Sequence, residues 1–224
     1  MLLRDRVYQA IRGAILTCEF QPGLELREQI LAERYRVSRS PIRDSLLRLE
    51  HEKLVTVLPR QGYRVNPISL ADVEDIFGLR LVIEPACAAA AARADEEAVR
   101  ALGRFRDFAR DERTGAEFIE YNKSFHRSLM GLSGNARMAA IAVDLDEQFQ
   151  RLALLTVNAV TEENVRYACA EHDAIIEAVQ AHDADRAAKL SYEHAAQAHA
   201  RIWPAIRTVA QGWEEAAETA ATTG

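Results

Sequence analysis

The chain has 224 residues, 49% of them apolar and only 7% aromatic, with a net charge of −6. That length suits one large or two modest domains with a substantial core. No apolar run approaches the ~20 residues that a membrane-spanning helix needs, and Cys18, Cys87 and Cys169 form no CxxC pair, so the composition speaks against a transmembrane protein, a disulfide framework and a thiolate metal site, and for a soluble, cytoplasmic protein.

Ala and Leu dominate the apolar set, which favours helices over sheets. Leu3, Val7, Ala10, Ile11, Ala14 and Ile15 recur at helical spacing and predict a first helix over 3–17. Pro22-Gly23 ends the connection as a turn. A short second helix over 27–35 is expected to turn Ile30 and Leu31 inward. After Arg36-Val37, Ser38 or Ser40 can cap a third helix, with Pro41 in its first turn and Ile42, Leu46, Leu47 and Leu49 as its buried stripe. Residues 54–58 and 62–66 are short β-type runs around Pro59-Arg60-Gln61 and predict a hairpin.

Pro67 closes this first unit, residues 1–66, and residues 67–70 form a linker. Ser69 can cap a long helix to about Ala94, with Asp72 in its first turn suiting the helix dipole. Asp95, Thr114, Asn135, Thr161 and Asp183 stand at or near five later helix starts, and Gly131 and Gly134 mark a turn. The helical body runs over 71–212, and 213–224 reads as a mobile tail. The fold class is mainly α: an N-terminal winged helix-turn-helix (three helices plus a β-hairpin) followed by an all-helical bundle of six or seven antiparallel helices.

Charge divides along the same line. Residues 1–66 carry 12 Lys and Arg against 8 Asp and Glu, whereas the remainder carries 16 against 26. A basic head on an acidic body points to a polyanion that meets only the head. The third helix can lie in the major groove of DNA. Arg39 and Arg43 share one face, and arginine pairs bidentately with guanine. Ser38 and Ser40 can donate to phosphates at the helix start. Arg60 at the hairpin tip reaches toward a groove, and Gly62 lets the backbone turn closely. The competing reading is that these arginines form an ordinary solvated face.

The pieces PG-x-x-L, LAE, VSRSPIR, L-x-x-L and PR-x-G-x-x-V, in order across residues 5–66, resemble the DNA-binding domain of the GntR family of bacterial transcription regulators. The resemblance implies that Arg39 and Arg43 contact the operator and that the wing around Arg60 and Gly62 enters the minor groove. Three positions depart from the pattern. Gln29 replaces an arginine or glutamate, Arg36 replaces a turn glycine at a left-handed cost of about 1 kcal/mol, and Glu52-Lys53 replaces Asp-Gly.

Residues 67–210 resemble the all-helical FCD domain of the FadR-like branch, through L-R-x-x-I-E-P, F-H-x-x-L-x-x-x-S-G-N and an E-H pair. That resemblance implies a divalent metal, zinc or nickel, held by Asn122, His126, His172 and His194, with a small organic or sugar acid as effector. Asn122 stands where a ligand aspartate is usual. Either the effector's carboxylate supplies the missing charge, or no metal binds and the histidines hold an anion directly. Arg80 matches an arginine that pairs with the acid, but it can equally bridge Glu84 at i+4. Arg127 and Arg151 are lesser candidates, and His182 and His199 are expected at the surface.

These readings describe a homodimer on a pseudo-palindromic double-stranded operator. The alternative is a DNA-binding regulator whose body only dimerises. No HExxH motif or paired-carboxylate base accompanies the histidines, so an enzyme is not the expected reading.

Overall fold

In the computed structural model, α1 (Leu3–Leu16) buries Val7, Ile11, Ala14 and Ile15 along one stripe. Residues 2–108, 115–156 and 161–222 are described, with only the backbone given for 115, 116 and 213–222. The chain divides into two units, one built on residues 1–69 and the other on 70–215.

In the first unit, α1 ends where Cys18 takes φ 58° and the Phe20 amide returns to the Ala14 carbonyl at 2.8 Å. Gln21–Leu24 is a turn closed by a 3.1 Å bond from the Leu24 amide to the Gln21 carbonyl. Gly23 sits at φ 84°, the left-handed position of a type II turn. Next come β1 (Glu25–Leu26), α2 (Glu28–Tyr35), α3 (Arg39–His51), β2 (Val55–Leu58) and β3 (Gly62–Val65). Ile11, Ile15, Ile42, Leu46 and Leu49 form the centre of the core.

The expected hairpin is present, but β3 lies between two partners. The sheet order is β1-β3-β2, with Leu26 opposite Tyr63 and Val57 opposite Tyr63 from the other side. Two residues are too few to show a period of two, so β1 left no pattern in the sequence.

Two expected core residues face outward, Ile30 at 59% exposed and Leu47 at 43%. Each sits one residue, about 100° of helix, from the true stripe of Leu31 and Ala32 on α2, or Ile42, Leu46 and Leu49 on α3.

Arg36 ends α2 with φ 54°, ψ 48°. Lys53 likewise takes φ 58° after α3. Glu52 has a structural task here: it accepts from the Tyr8 hydroxyl at 2.5 Å and from Arg12 Nε at 3.2 Å, tying α1 to the end of α3. Burial and the Glu52 carboxylate push the Tyr8 hydroxyl up to about 12.

The second unit begins with α4 (Leu70–Ala91), which gives way to a turn before Ala94. Then follow α5 (Glu96–Ala101), a 3-10 turn over Leu102–Phe105, α6 (Gly115–Gly131), α7 (Ala136–Leu155), α8 (Glu162–Gln180) and α9 (Ala184–Thr222). The caps fall where the sequence put them. Asp95 accepts from the Ala98 amide at 2.9 Å, Asn135 from Arg137 and Met138 at 3.1 Å, and Thr161 from Asn164 at 3.2 Å. Asp183 accepts from the Arg186 amide at 3.0 Å. Thr114 lies outside the described residues.

Ala88, Ala91 and Ala92 on and after α4 pack with Phe125, Ile175, Ile176 and Val179 in one buried cluster. The tail expected from 213 is helical backbone as far as Thr222, and residues 223 and 224 lie outside the described set.

Candidate functional site

His126 on α6, His172 on α8 and His194 on α9 are all buried and bring their ring nitrogens together. His194 Nε2 lies 3.3 Å from His126 Nε2 and 3.4 Å from His172 Nε2. Zinc–nitrogen bonds of ~2.0–2.1 Å in a tetrahedron place the nitrogens about 3.3–3.4 Å apart, which is the spacing of these two pairs; all three ligand atoms lie within 4.8 Å of one another.

The outer contacts set the tautomers. His194 Nδ1 is 2.7 Å from Glu171 Oε2 and donates to it, which leaves Nε2 with a lone pair. Glu171 is held in turn by both terminal nitrogens of Arg201, at 2.7 and 2.8 Å. Burial acts upward on Glu171, but hydrogen bonds from Arg201 and His194 bring its carboxyl down to about 2. His172 Nδ1 lies 3.2 Å from the Tyr121 hydroxyl, and the ring stacks on Phe125 with centroids 4.2 Å apart.

Burial first, then the neighbouring histidine and Arg80 charges, lower the pKa of His126 and His172 well below 6.5. Neutral rings are what a divalent zinc or nickel ion requires. One lone pair on His194 Nε2 accepts one good hydrogen bond, whereas a cation at the centre engages all three nitrogens.

Asn122, one turn before His126, is also buried. It lines a mostly apolar cavity with Phe149, Gln150, His194, Ala198 and Arg201. Among the described residues the donor cluster of His, Cys and carboxylates is the three histidines, with no acid in it.

Arg80 on α4 is fully buried, and the expected bridge to Glu84 is present. Nε donates to Glu84 Oε1 at 2.5 Å, yet Nη1 and Nη2 have no hydrogen-bond partner among the described residues. Its guanidinium carbon stands 4.1 Å from the centroid of the cavity-lining Phe149 ring. An unsatisfied buried charged donor costs several kcal/mol in a finished core.

Arg127 is spent on Glu147 at 2.7 Å on the exposed side. His182 is partly exposed and bonded to the Ala92 carbonyl and Glu96. His199 is only partly exposed and packs tilted against Phe77, with ring centroids 4.4 Å apart, rather than lying free at the surface.

Sequence reasoning missed Asp146 on α7, because an acid in an amphipathic helix reads as solvent-facing. It is buried, with Oδ2 accepting from Gln150 at 2.7 Å and Oδ1 unpartnered. Burial, opposed by Arg80 and aided by Glu84, pushes its carboxyl up to about 7.

These groups set a pH signature for the metal-free protein. Below pH 6.5 the unfolded chain takes up two protons that folded His126 and His172 refuse. Asp146 opposes them with one, since it holds its proton when folded but ionises above 3.8 when unfolded. The unfolded state is therefore ahead by one proton. Between pH 6.5 and 4.5, above the range where unfolded Glu171 takes up its proton, stability should fall by about 1.4 kcal/mol per pH unit on acidification, as read from urea midpoints.

In the first unit, Ser38, Arg39, Ser40 and Arg43 gather at the exposed start of α3. Ser38 occupies the N-cap position, but its side chain makes no capping bond. Arg43 is held by Glu28 through Nε at 2.9 Å and Nη2 at 2.8 Å, and this hydrogen bonding lowers the Glu28 pKa. Arg39 donates to Gln29 Oε1 at 3.0 Å, while the Gln29 amide donates to Glu33 at 3.2 Å. Arg60 is exposed at the hairpin tip with φ 66°. Gly62 also has a structural reason: a Cβ there would lie 2.5 Å from the Leu26 carbonyl oxygen of β1.

Comparison with known proteins agrees with both halves. Residues 3–65 match the model for bacterial regulatory proteins of the gntR family, and residues 75–197 match the FCD domain. An uncharacterized HTH-type transcriptional regulator in an unstable DNA locus of Streptomyces ambofaciens is 33% identical over 182 residues, 79% of this chain and 75% of that one. The HTH-type transcriptional repressor GlaR of Escherichia coli K12 is 27% identical over 202 residues, 84% and 90% of the two chains. Among solved structures, Escherichia coli McbR/YncC shares the fold with a TM-score of 0.79 at 18% identity, covering 91% of this chain and 98% of that one. A GntR regulator from Rhodococcus sp. RHA1 gives a TM-score of 0.71 at 22% identity, covering 90% and 97%. The chain belongs to the GntR family of bacterial transcription regulators, with a helix-turn-helix domain followed by an FCD domain.

Proposed function

We propose that this regulator binds its operator as a homodimer and that a small carboxylate metabolite, held in the cavity beside the histidine cluster, controls its operator affinity. The observation that carries the reading is Arg80, whose buried and unpartnered Nη1 and Nη2 belong to the same electrostatic cluster as His126 and His172. A planar guanidinium with two free donors matches a carboxylate bidentately.

His126, His172 and His194 would hold the zinc or nickel ion, with the Asn122 amide oxygen as an uncharged fourth donor. The ion would act as a Lewis acid toward the effector's carboxylate, which supplies the negative charge that Asn122 lacks. Neutral imidazoles attract an anion poorly without a cation, which favours the metal over direct anion binding. Glu171 and Arg201 orient His194, and Tyr121 orients His172. For the dimer, Leu79 and Val82 on α4 offer an exposed apolar pair, with Val82 70% exposed. Arg39 and Arg43 reach base edges, while Ser38, Ser40 and Arg60 contact phosphates or groove. Control requires the acid to bind the operator-competent and incompetent arrangements with different affinity.

The test is retardation of the chain's own upstream DNA, with and without a panel of organic and sugar acids. Wild type should retard the DNA, and Arg43→Ala should weaken binding at least tenfold, on the order of one lost base contact. At least one acid should raise the melting temperature and shift the retardation. Arg80→Ala should bind DNA normally but ignore the acid. Retardation with no response to any acid would instead favour a body that only dimerises.

A further inference from the structure

Arg80 Nη1 and Nη2 and Glu84 Oε2 on α4, and Asp146 Oδ1 on α7, are buried polar atoms with no hydrogen-bond partner among the described residues. Two α7 residues connect them to the cavity. Gln150, which donates to Asp146 Oδ2, and Phe149, which underlies the Arg80 guanidinium, both line it. The two kinds of atom ask for opposite partners. The Arg80 nitrogens donate and need an acceptor, whereas the two carboxyl groups carry oxygens that are satisfied by a donor.

Beside an ionised Asp146, a plain carboxylate answers only Arg80. It would leave Asp146 Oδ1 dry and unpaired, and would add negative charge beside two acids. A hydroxyl next to the carboxylate both donates and accepts, so it pairs with Asp146 in either protonation state. It also adds no charge to a buried cluster that already holds one guanidinium and two carboxyl groups.

We propose that Asp146 is the second anchor of the cavity, pairing a hydroxyl carried beside the carboxylate that Arg80 binds, so that the effector is a hydroxycarboxylic acid. This rests on the effector reading above and narrows it from acids in general to acids with an adjacent donor. Asp146 acts as a specificity determinant: it rejects the deoxy acid because binding that acid leaves the buried Oδ1 without a partner.

The experiment measures binding to the full chain, as purified, of acids matched except for one hydroxyl: lactate against propionate, malate against succinate, and 3-hydroxybutyrate against butyrate. Alanine and aspartate supply an ammonium in place of the hydroxyl. In wild type at least one hydroxy acid should bind about tenfold or more tighter than its deoxy partner and its amino counterpart, as expected for a hydrogen bond to a buried polar group. Asp146→Leu should erase that preference, the deoxy acid binding at least as well as in wild type and the hydroxy acid no better than it, and Asp146→Asn should keep part of the preference. A hydroxyl that chelated a bound metal would give a preference that survives in both variants, which overturns the assignment.

So would Arg80-dependent binding with no hydroxyl preference, or a preference for the amino acid; in both cases the general effector reading stands. Failure of every acid to bind wild type would overturn both. Should Asp146→Leu not fold, judged by circular dichroism, the wild-type pairs and Asp146→Asn decide, since an Asn that lost no discrimination would exclude the Asp146 carboxyl as its source.

Discussion

His172→Ala is expected to lower zinc or nickel affinity at least about 100-fold, leaving the purified variant metal-free where wild type retains metal. Loss of an outer-shell partner alone costs 10–100-fold in affinity, and removal of a ligand exceeds that. His172 is the most enclosed of the three histidines, fixed by the Tyr121 hydroxyl on one side and the Phe125 face on the other. Its nitrogen therefore reaches the centre with little entropy left to lose. Without it, His126 and His194 remain as a pair and Asn122 adds no charge. Elemental analysis after gentle purification, followed by competitive zinc titration, reads the effect. Glu171→Gln should give the intermediate outer-shell loss, because His194 keeps its ring but loses the carboxylate that holds its tautomer. A wild type that carries no metal and binds none on titration would remove the ion from the proposal.

The second large effect is Gly62→Ala, expected to destabilise the first unit by about 4 kcal/mol. Two penalties add at this position. The backbone sits at φ 119°, a region L-residues rarely adopt, and a Cβ would press to 2.5 Å against the Leu26 carbonyl oxygen, a backbone atom that cannot swing aside. Relief requires β1 to leave β3, which exposes Leu26 and Tyr63. A unit of this size has about 3–10 kcal/mol to lose. Hydrogen exchange should therefore show the amides of β3 deprotected, and DNA retardation should fall with the fold. A Gly62→Ala chain with protected β3 amides but weakened DNA binding would return Gly62 to the DNA contact that its sequence position first suggested.

The comparison of those two residues shows what a sequence displays. Helix starts were legible because capping is local: Asp95, Asn135 and Thr161 bond to amides two or three residues away, and nothing distant can override that. The histidine cluster was legible only through the family pattern, since His126, His172 and His194 are up to 68 residues apart and each alone resembles a core histidine. Long-range partners left no trace. Nothing near Gly62 announces Leu26, nothing near Arg43 announces that Glu28 will hold it, and Asp146 looks like any solvent-facing acid of α7. Ile30 and Leu47 failed for a different reason. With apolar residues adjacent in the chain, the phase of a short helix is ambiguous by one residue, and packing decides it.

Glu171 grips α9 at two points, His194 and Arg201, seven residues or about 10.5 Å apart along the axis. A single carboxylate with both oxygens engaged across two turns works as a pawl. The long helix cannot slip along α8 by one turn, about 5.4 Å, without releasing both contacts together. Three residues past the last grip stands Pro204, whose missing N–H removes the ladder bond to the Ala200 carbonyl. Axial sliding is thus locked while bending has a soft point just beyond the lock, so the far end of α9 is set up to swing rather than to piston.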